Sequence, residues 1–561
     1  MRNFKRNGVA LGGLMALALS SSALAQNAWI KCDGYGAANP SGDGMTEYAL
    51  RMGLFVHPGY GTTVRSPAAH GREGVTACDE ALQELPDTHW RRKVNLLQAR
   101  ALHRLESRQA DDAIADLDQA HVAAAPGLND PLFQRSQQLG LTLVRALALQ
   151  HQGSNEEART LLNRAAEQRP YDSGAISAVH SVASFAGYDD VTQSTLRQTA
   201  RFLPQVRIRL AWQDFDQGRF EDFLNLHPHL SPALRAADNS LLPIETALRN
   251  LANHEASAQF KVHSAIYRAY ALTATGRHDE AEAAMDEARA VLPAHRQPPS
   301  PPRLRGPALE QYNEELPLTL ARIEKQDAAI ADMADAIARR RQAGEGKISR
   351  LADLFDANAI RRDGTGADTL IATAEFLPPA EAEQARKMAA DLRVELAREA
   401  LKTTSFNAEA FLGSLPSPET PNRLSPWKEA KRPFLAATGS YEDTSSVGYR
   451  DWKTDSGLVT VRYRSSKTGT RAIAEELALL RAADLARQSG HKGFFIAARR
   501  DTTLTYNTYH LGQILRSDPD GYESELDIRF VDADHQGAPA LLVFDAEQVY
   551  ATLAPIYIRT E

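Results

Sequence analysis

The chain has 561 residues, 24% charged and 43% hydrophobic, with a formal net charge of −7 and no clustered block of Lys and Arg. That length predicts several domains rather than one core. Ordinary globular composition excludes a fibrous or low-complexity chain, and without clustered cations to meet phosphates no nucleic acid is expected as a partner.

Residues 1–25 read as an export signal. Arg2, Lys5 and Arg6 open it, the run from Val9 to Leu19 is apolar, and Ala23-Leu24-Ala25 forms a small-x-small cleavage site. An uncleaved anchor would need about 18–20 apolar residues. Cleavage after Ala25 removes three basic residues and takes the charge from −7 to −10. No later stretch is apolar enough for a transmembrane segment, and Cys32 lies too far past Ala25 for lipid attachment, so a periplasmic or secreted chain is expected. Cys32 and Cys78 are the only cysteines, and an even pair in an oxidising compartment predicts one disulfide. It would close a loop for which the chain-entropy estimate is about 4 kcal/mol. A redox couple would usually place its cysteines two residues apart at a helix start.

Residues 26–92, rich in Gly, Pro and polar residues, predict an irregular, disulfide-stapled cap. Residues 93–294 carry a spacing of small residues that fits paired helices, where two helices cross closely and proline stops the second. Ala146, Ala158, Leu162, Ala165 and Pro170 follow this pattern, with Gly153 in the turn. Ala269, Gly276, Ala281, Met285, Ala288 and Pro293 follow it too. A third unit has Ala101, Ala113, Leu117 and Ala120, with Pro126 one residue late. On these residues the chain resembles the tetratricopeptide repeat family in three units. The resemblance implies a mainly α fold, a helical solenoid of about five or six pairs counting degenerate ones between Pro170 and Gln259. It departs from the family in lacking the large aromatic near the start of the first two units and in its uneven period.

Five prolines in 295–307 predict an extended connector, and 308–404 predicts further helices, including one from Pro379 to about Lys402. Residues 405–457, with Pro416, Pro418, Pro421, Pro426 and Pro433, predict a linker. Residues 458–561 change period. Val459, Val461 and Tyr463 alternate with polar residues, Thr470 opens a helix closed by Gly490, and further strands are expected at Phe494–Ile496, Leu526–Phe530 and Leu541–Phe544. Asp545 caps a last helix. The expected result is a small α+β domain with its helix on an antiparallel sheet. Leu480 to Leu485, followed by Gly490 and Phe494-Phe495, resembles a small domain of uncharacterised proteobacterial envelope proteins. That resemblance implies a compartment and no chemistry.

Neither a Gly-x-Ser-x-Gly elbow, a His-Glu-x-x-His helix, a Walker loop nor a placed nucleophilic cysteine is present, and no cofactor or metal is expected. His227 and His229 flank Pro228 without ligand spacing and read as surface-loop residues. The leading expectation is a non-enzymatic scaffold for a periplasmic or envelope protein or peptide. In tetratricopeptide repeats the first helix faces the groove, which points to Asn95, Gln98, Gln150, His263 and Tyr270. The alternative is a peptidoglycan- or glycan-binding or modifying protein acting through Tyr506, Tyr509 and His510 of the last domain, whose rings could stack on sugars.

Overall fold

In the computed structural model, residues 28–37, 46–50, 58–62, 67–216, 218–230, 243–298, 303–345, 379–403, 448–455, 457–465, 470–510, 513–532 and 539–558 are described, with positions 370, 408 and 412. The expected export signal, the centre of the proline-rich connector and most of the 405–457 linker lie outside the described residues. Two compact units emerge: Met1–Phe202 with Ala397–Gln536 and Val543–Glu561, and Leu203–Leu396 with Gly537–Leu542. The division falls inside the stretch whose spacing reads as one repeat array.

In the first unit the leading segment is more regular than its composition suggests. Residues 28–33 are helical, β1 (Thr46–Leu50) and β2 (Pro58–Thr62) form an antiparallel hairpin, and α1 spans Gly71–Glu84. Cys32 and Cys78 are bonded across 46 residues and buried with Trp29, Ala77, Ala81, Leu96 and Ala99. Asp33 and Arg92, at 1% and 0% exposure, form a buried ion pair that holds the leading segment on the next helix.

Helices α2 (Trp90–Glu106) and α3 (Ala110–Ala123) form the first hairpin, and α4 (Pro131–Arg135) leads into the second, α5 (Gln137–Gln152) with α6 (Asn155–Gln168). A third hairpin joins α7 (Ser173–Phe185) to α8 (Asp189–Phe202). Ala101, Ala113 and Ala120 are buried in the first hairpin, and Ala146, Ala158 and Ala165 in the second. A larger side chain at these positions would push the paired helices apart. Gly153, at φ 88°, makes the tight turn between α5 and α6 in the left-handed region that glycine tolerates without cost.

The second unit contains α9 (Pro204–Asp216), α10 (Phe220–Leu226), α11 (Pro243–Ala274), α12 (His278–Ala294), α13 (Pro307–Glu324) and α14 (Gln326–Glu345). α15 follows over Pro379–Thr403. Ala269, Ala281 and Ala288 are buried between α11 and α12. Ile323, Ile330 and Ile337 join the same buried cluster as Val262, Ile266 and Leu292. Helix packing thus continues beyond the proline-rich connector, which does not end it.

The C-terminal region is an α+β domain. β3 (Gly448–Lys453), β4 (Val459–Arg464), β5 (Gly493–His510), β6 (Gln513–Val531) and β7 (Phe544–Asp545) form an antiparallel sheet in the order β3-β4-β6-β5-β7. Strand β3 lies upstream of the expected domain start. The 540–542 segment is a 3-10 turn rather than the expected strand. Helix α16 (Arg471–Gln488) packs on β4, β5 and β6, with Thr470 accepting from the Ile473 amide at 3.2 Å. Helix α17 (Ala546–Tyr557) packs against it, with Asp545 accepting from Gln548 at 2.7 Å.

Buried imidazoles give the fold a pH dependence. His103 is 0% exposed, its Nε2 lies 2.7 Å from the Cys32 carbonyl, to which it donates, and burial holds its pKa below the ordinary value. Burial does the same to His151, His227 and His295. An unfolded imidazole takes up a proton near pH 6.5, whereas the folded one does so only at lower pH. Unfolding therefore binds protons in that window, and the stability present above about pH 6.5 is lost as pH falls toward the folded value. The melting temperature should drop between pH 7 and 5, and His103→Gln, whose amide can still donate to the Cys32 carbonyl, should flatten part of that drop. An unchanged slope in the variant would remove His103 as a contributor.

Candidate functional site

The first unit carries a buried charge cluster that joins the helical hairpins to the C-terminal domain. Glu475 and Glu476 are adjacent on α16, and each is 1% exposed. The Glu476 carboxylate accepts from Arg169 Nε at 3.1 Å, from Tyr557 Oη at 2.5 Å, and from Arg135. Arg135 also donates to Tyr557 at 3.1 Å, and Arg169 donates to the Arg135 carbonyl at 3.1 Å and pairs with Asp172 at 3.0 Å. Glu475 accepts from the Ser173 amide at 3.2 Å, the Ser173 hydroxyl at 2.8 Å, and Arg499 Nη1 at 2.5 Å. Ser173 is the first residue of α7, so the carboxylate also meets the positive end of that helix.

Burial pushes the Glu475 carboxyl above its usual range, and the adjacent Arg499 guanidinium pulls it back. Against burial, the charges of Glu475 and Asp501 hold Arg499 above its ordinary value. The three donors facing Glu475, one of them a guanidinium, suit a carboxylate acceptor. Aromatic packing accompanies it: Phe544 lies 5.1 Å from Phe202, 5.3 Å from Phe494 and 6.4 Å from Tyr171, ring centre to ring centre.

The same unit has an open groove of about 610 Å3 over α3, α5 and α6. Leu117, Leu141 and Leu161 give it an apolar floor, and Gln138, Thr142 and Gln168 add neutral polar groups. His121, Arg145, Arg164 and Glu167 complete its lining. Arg145 is paired with Asp118. Gln138 Oε1 is buried without a hydrogen-bond partner.

In the second unit, a smaller pocket of about 390 Å3 is lined by Leu224, His227, Arg268, Arg277 and Glu280, among others. His227, expected on a surface loop, instead lies on a 3-10 turn with Nε2 2.6 Å from Ser264 Oγ and 3.1 Å from the Ser264 carbonyl. Ser264 is 6% exposed and does not line the pocket. This serine–histidine pair ties the turn to α11. Among the described residues no group of three His, Cys, Asp or Glu could hold a metal, and no helix is long and apolar enough to cross a membrane.

The polar residues expected to face a groove are placed otherwise. Asn95 donates to Asp33 at 3.1 Å, held by the leading segment. Gln98 is 5% exposed and packs on Gly140 of α5, where a Cβ would come within 2.7 Å of its amide, and Gln150 is 2% exposed. His263 is half-buried with its ring 6.4 Å from Tyr267, and Tyr270 packs against Phe215 and Phe220 at 5.5 and 5.9 Å. Gln98 and Gln150 are thus buried rather than exposed, whereas Asn95, His263 and Tyr270 are half-buried. The groove residues come instead from the second helices α3 and α6 and from other positions of α5. Tyr506, Tyr509 and His510 lie in β5 near the β5–β6 turn, paired with Asp518, Ile514 and Gln513, beyond the stretch of β6 that β4 covers. Their side chains are outside the description.

The charge cluster was not found from the sequence. Its signal was two adjacent glutamates in a helix otherwise apolar on nearly every side, Ala472 to Leu480, which implies burial on two faces. Compared with known proteins, the chain matches no family model, no curated protein and no solved structure.

Glu476→Ala leaves Arg135 and Arg169 buried without their shared counter-charge and should cost about 3–5 kcal/mol in urea unfolding. Replacing Arg135 and Glu476 together by Met and Leu, which leaves Arg169 its Asp172 counter-charge, should recover part of that loss. A loss under about 1 kcal/mol for the single variant, as for a surface pair, would contradict the cluster as described.

Proposed function

We propose that this protein is an exported, non-enzymatic scaffold of tetratricopeptide type that binds a protein or peptide partner in the periplasm or outside the cell. The observation that carries the reading is the open groove over α3, α5 and α6, whose apolar floor and polar rim suit a segment of another chain. Support for the repeat type comes from the buried alanines at the helix crossings, which share the family's spacing. Support for the compartment comes from the disulfide between Cys32 and Cys78, a bond that persists in oxidising surroundings.

The test is affinity capture from cross-linked envelope extract, comparing the mature chain with Leu161→Asp, which puts a charge into the groove floor. A discrete protein should co-purify with the unaltered chain and fall about tenfold in the variant, the effect of losing one well-packed anchor. Recovery of cell-wall glycan, undiminished by Leu161→Asp, would overturn this reading and favour ligand binding around Tyr506, Tyr509 and His510.

A further inference from the structure

We draw no further inference here: the strongest candidate, the open groove over α3, α5 and α6, belongs to the site already described, and nothing in the structure shows the chemistry of what covers it.

Discussion

Two adjacent carboxylates inside a helix impose the condition on which the first unit is built. Taking an ionised group out of water costs several kcal/mol even after the surroundings relax, and the cost is met only when every lone pair finds a donor. Glu476 has Arg135, Arg169 and Tyr557, and Glu475 has Arg499 and both donors of Ser173. Those partners come from α4, the end of the second hairpin, the start of the third, the sheet and the last helix. No one of these elements can shift without stranding a charge. This explains why residues 300 and more positions apart fall in one compact unit, and why α16 is buried on both faces where a helix lying on a sheet edge would keep one face wet. Such a network contributes uniqueness of docking more than net stability, since an apolar replacement of the same shape is often as stable.

The leading segment is attached in a related way. Asp33 meets Arg92 and Asn95, the Cys32 carbonyl accepts from His103, and the Cys32–Cys78 bond ties the segment covalently to α1. One end of the helical stack is thus fixed by charge and a disulfide, and the other by the carboxylate pair. The groove over α3, α5 and α6 belongs to the same unit. A preformed groove loses less conformational entropy on binding than a mobile one, which suits a recognition surface.

Local features were legible in the sequence. Ala101, Ala113, Ala146 and Ala158 marked where helices cross, because backbone proximity selects small side chains whatever lies beyond the pair. Thr470 and Asp545 marked helix starts through capping chemistry that acts within four residues. What the sequence hid depends on distance in space. Gln98 and Gln150 look like surface residues, and only the packing of the next helix buries them. Strand β3 is obscured by the proline-rich stretch before it and by Arg450, Asp451 and Lys453 within it, although pairing with β4 makes it a strand. Arg135 and Arg169 gave no hint of a partner because the glutamates they serve lie more than 300 residues away.

Bridged by the carboxylate pair, the three hairpins and the C-terminal sheet should open as one cooperative body. Native-state hydrogen exchange on the intact chain tests it most directly, by comparing the slowest amides of α7 with those of β4 and β6. Both sets should open with the same free energy and respond to urea with the same slope, because neither opens without unseating the other. Sheet amides that open at a distinctly lower free energy, with the hairpins still protected, would contradict it and make the C-terminal domain a separable module.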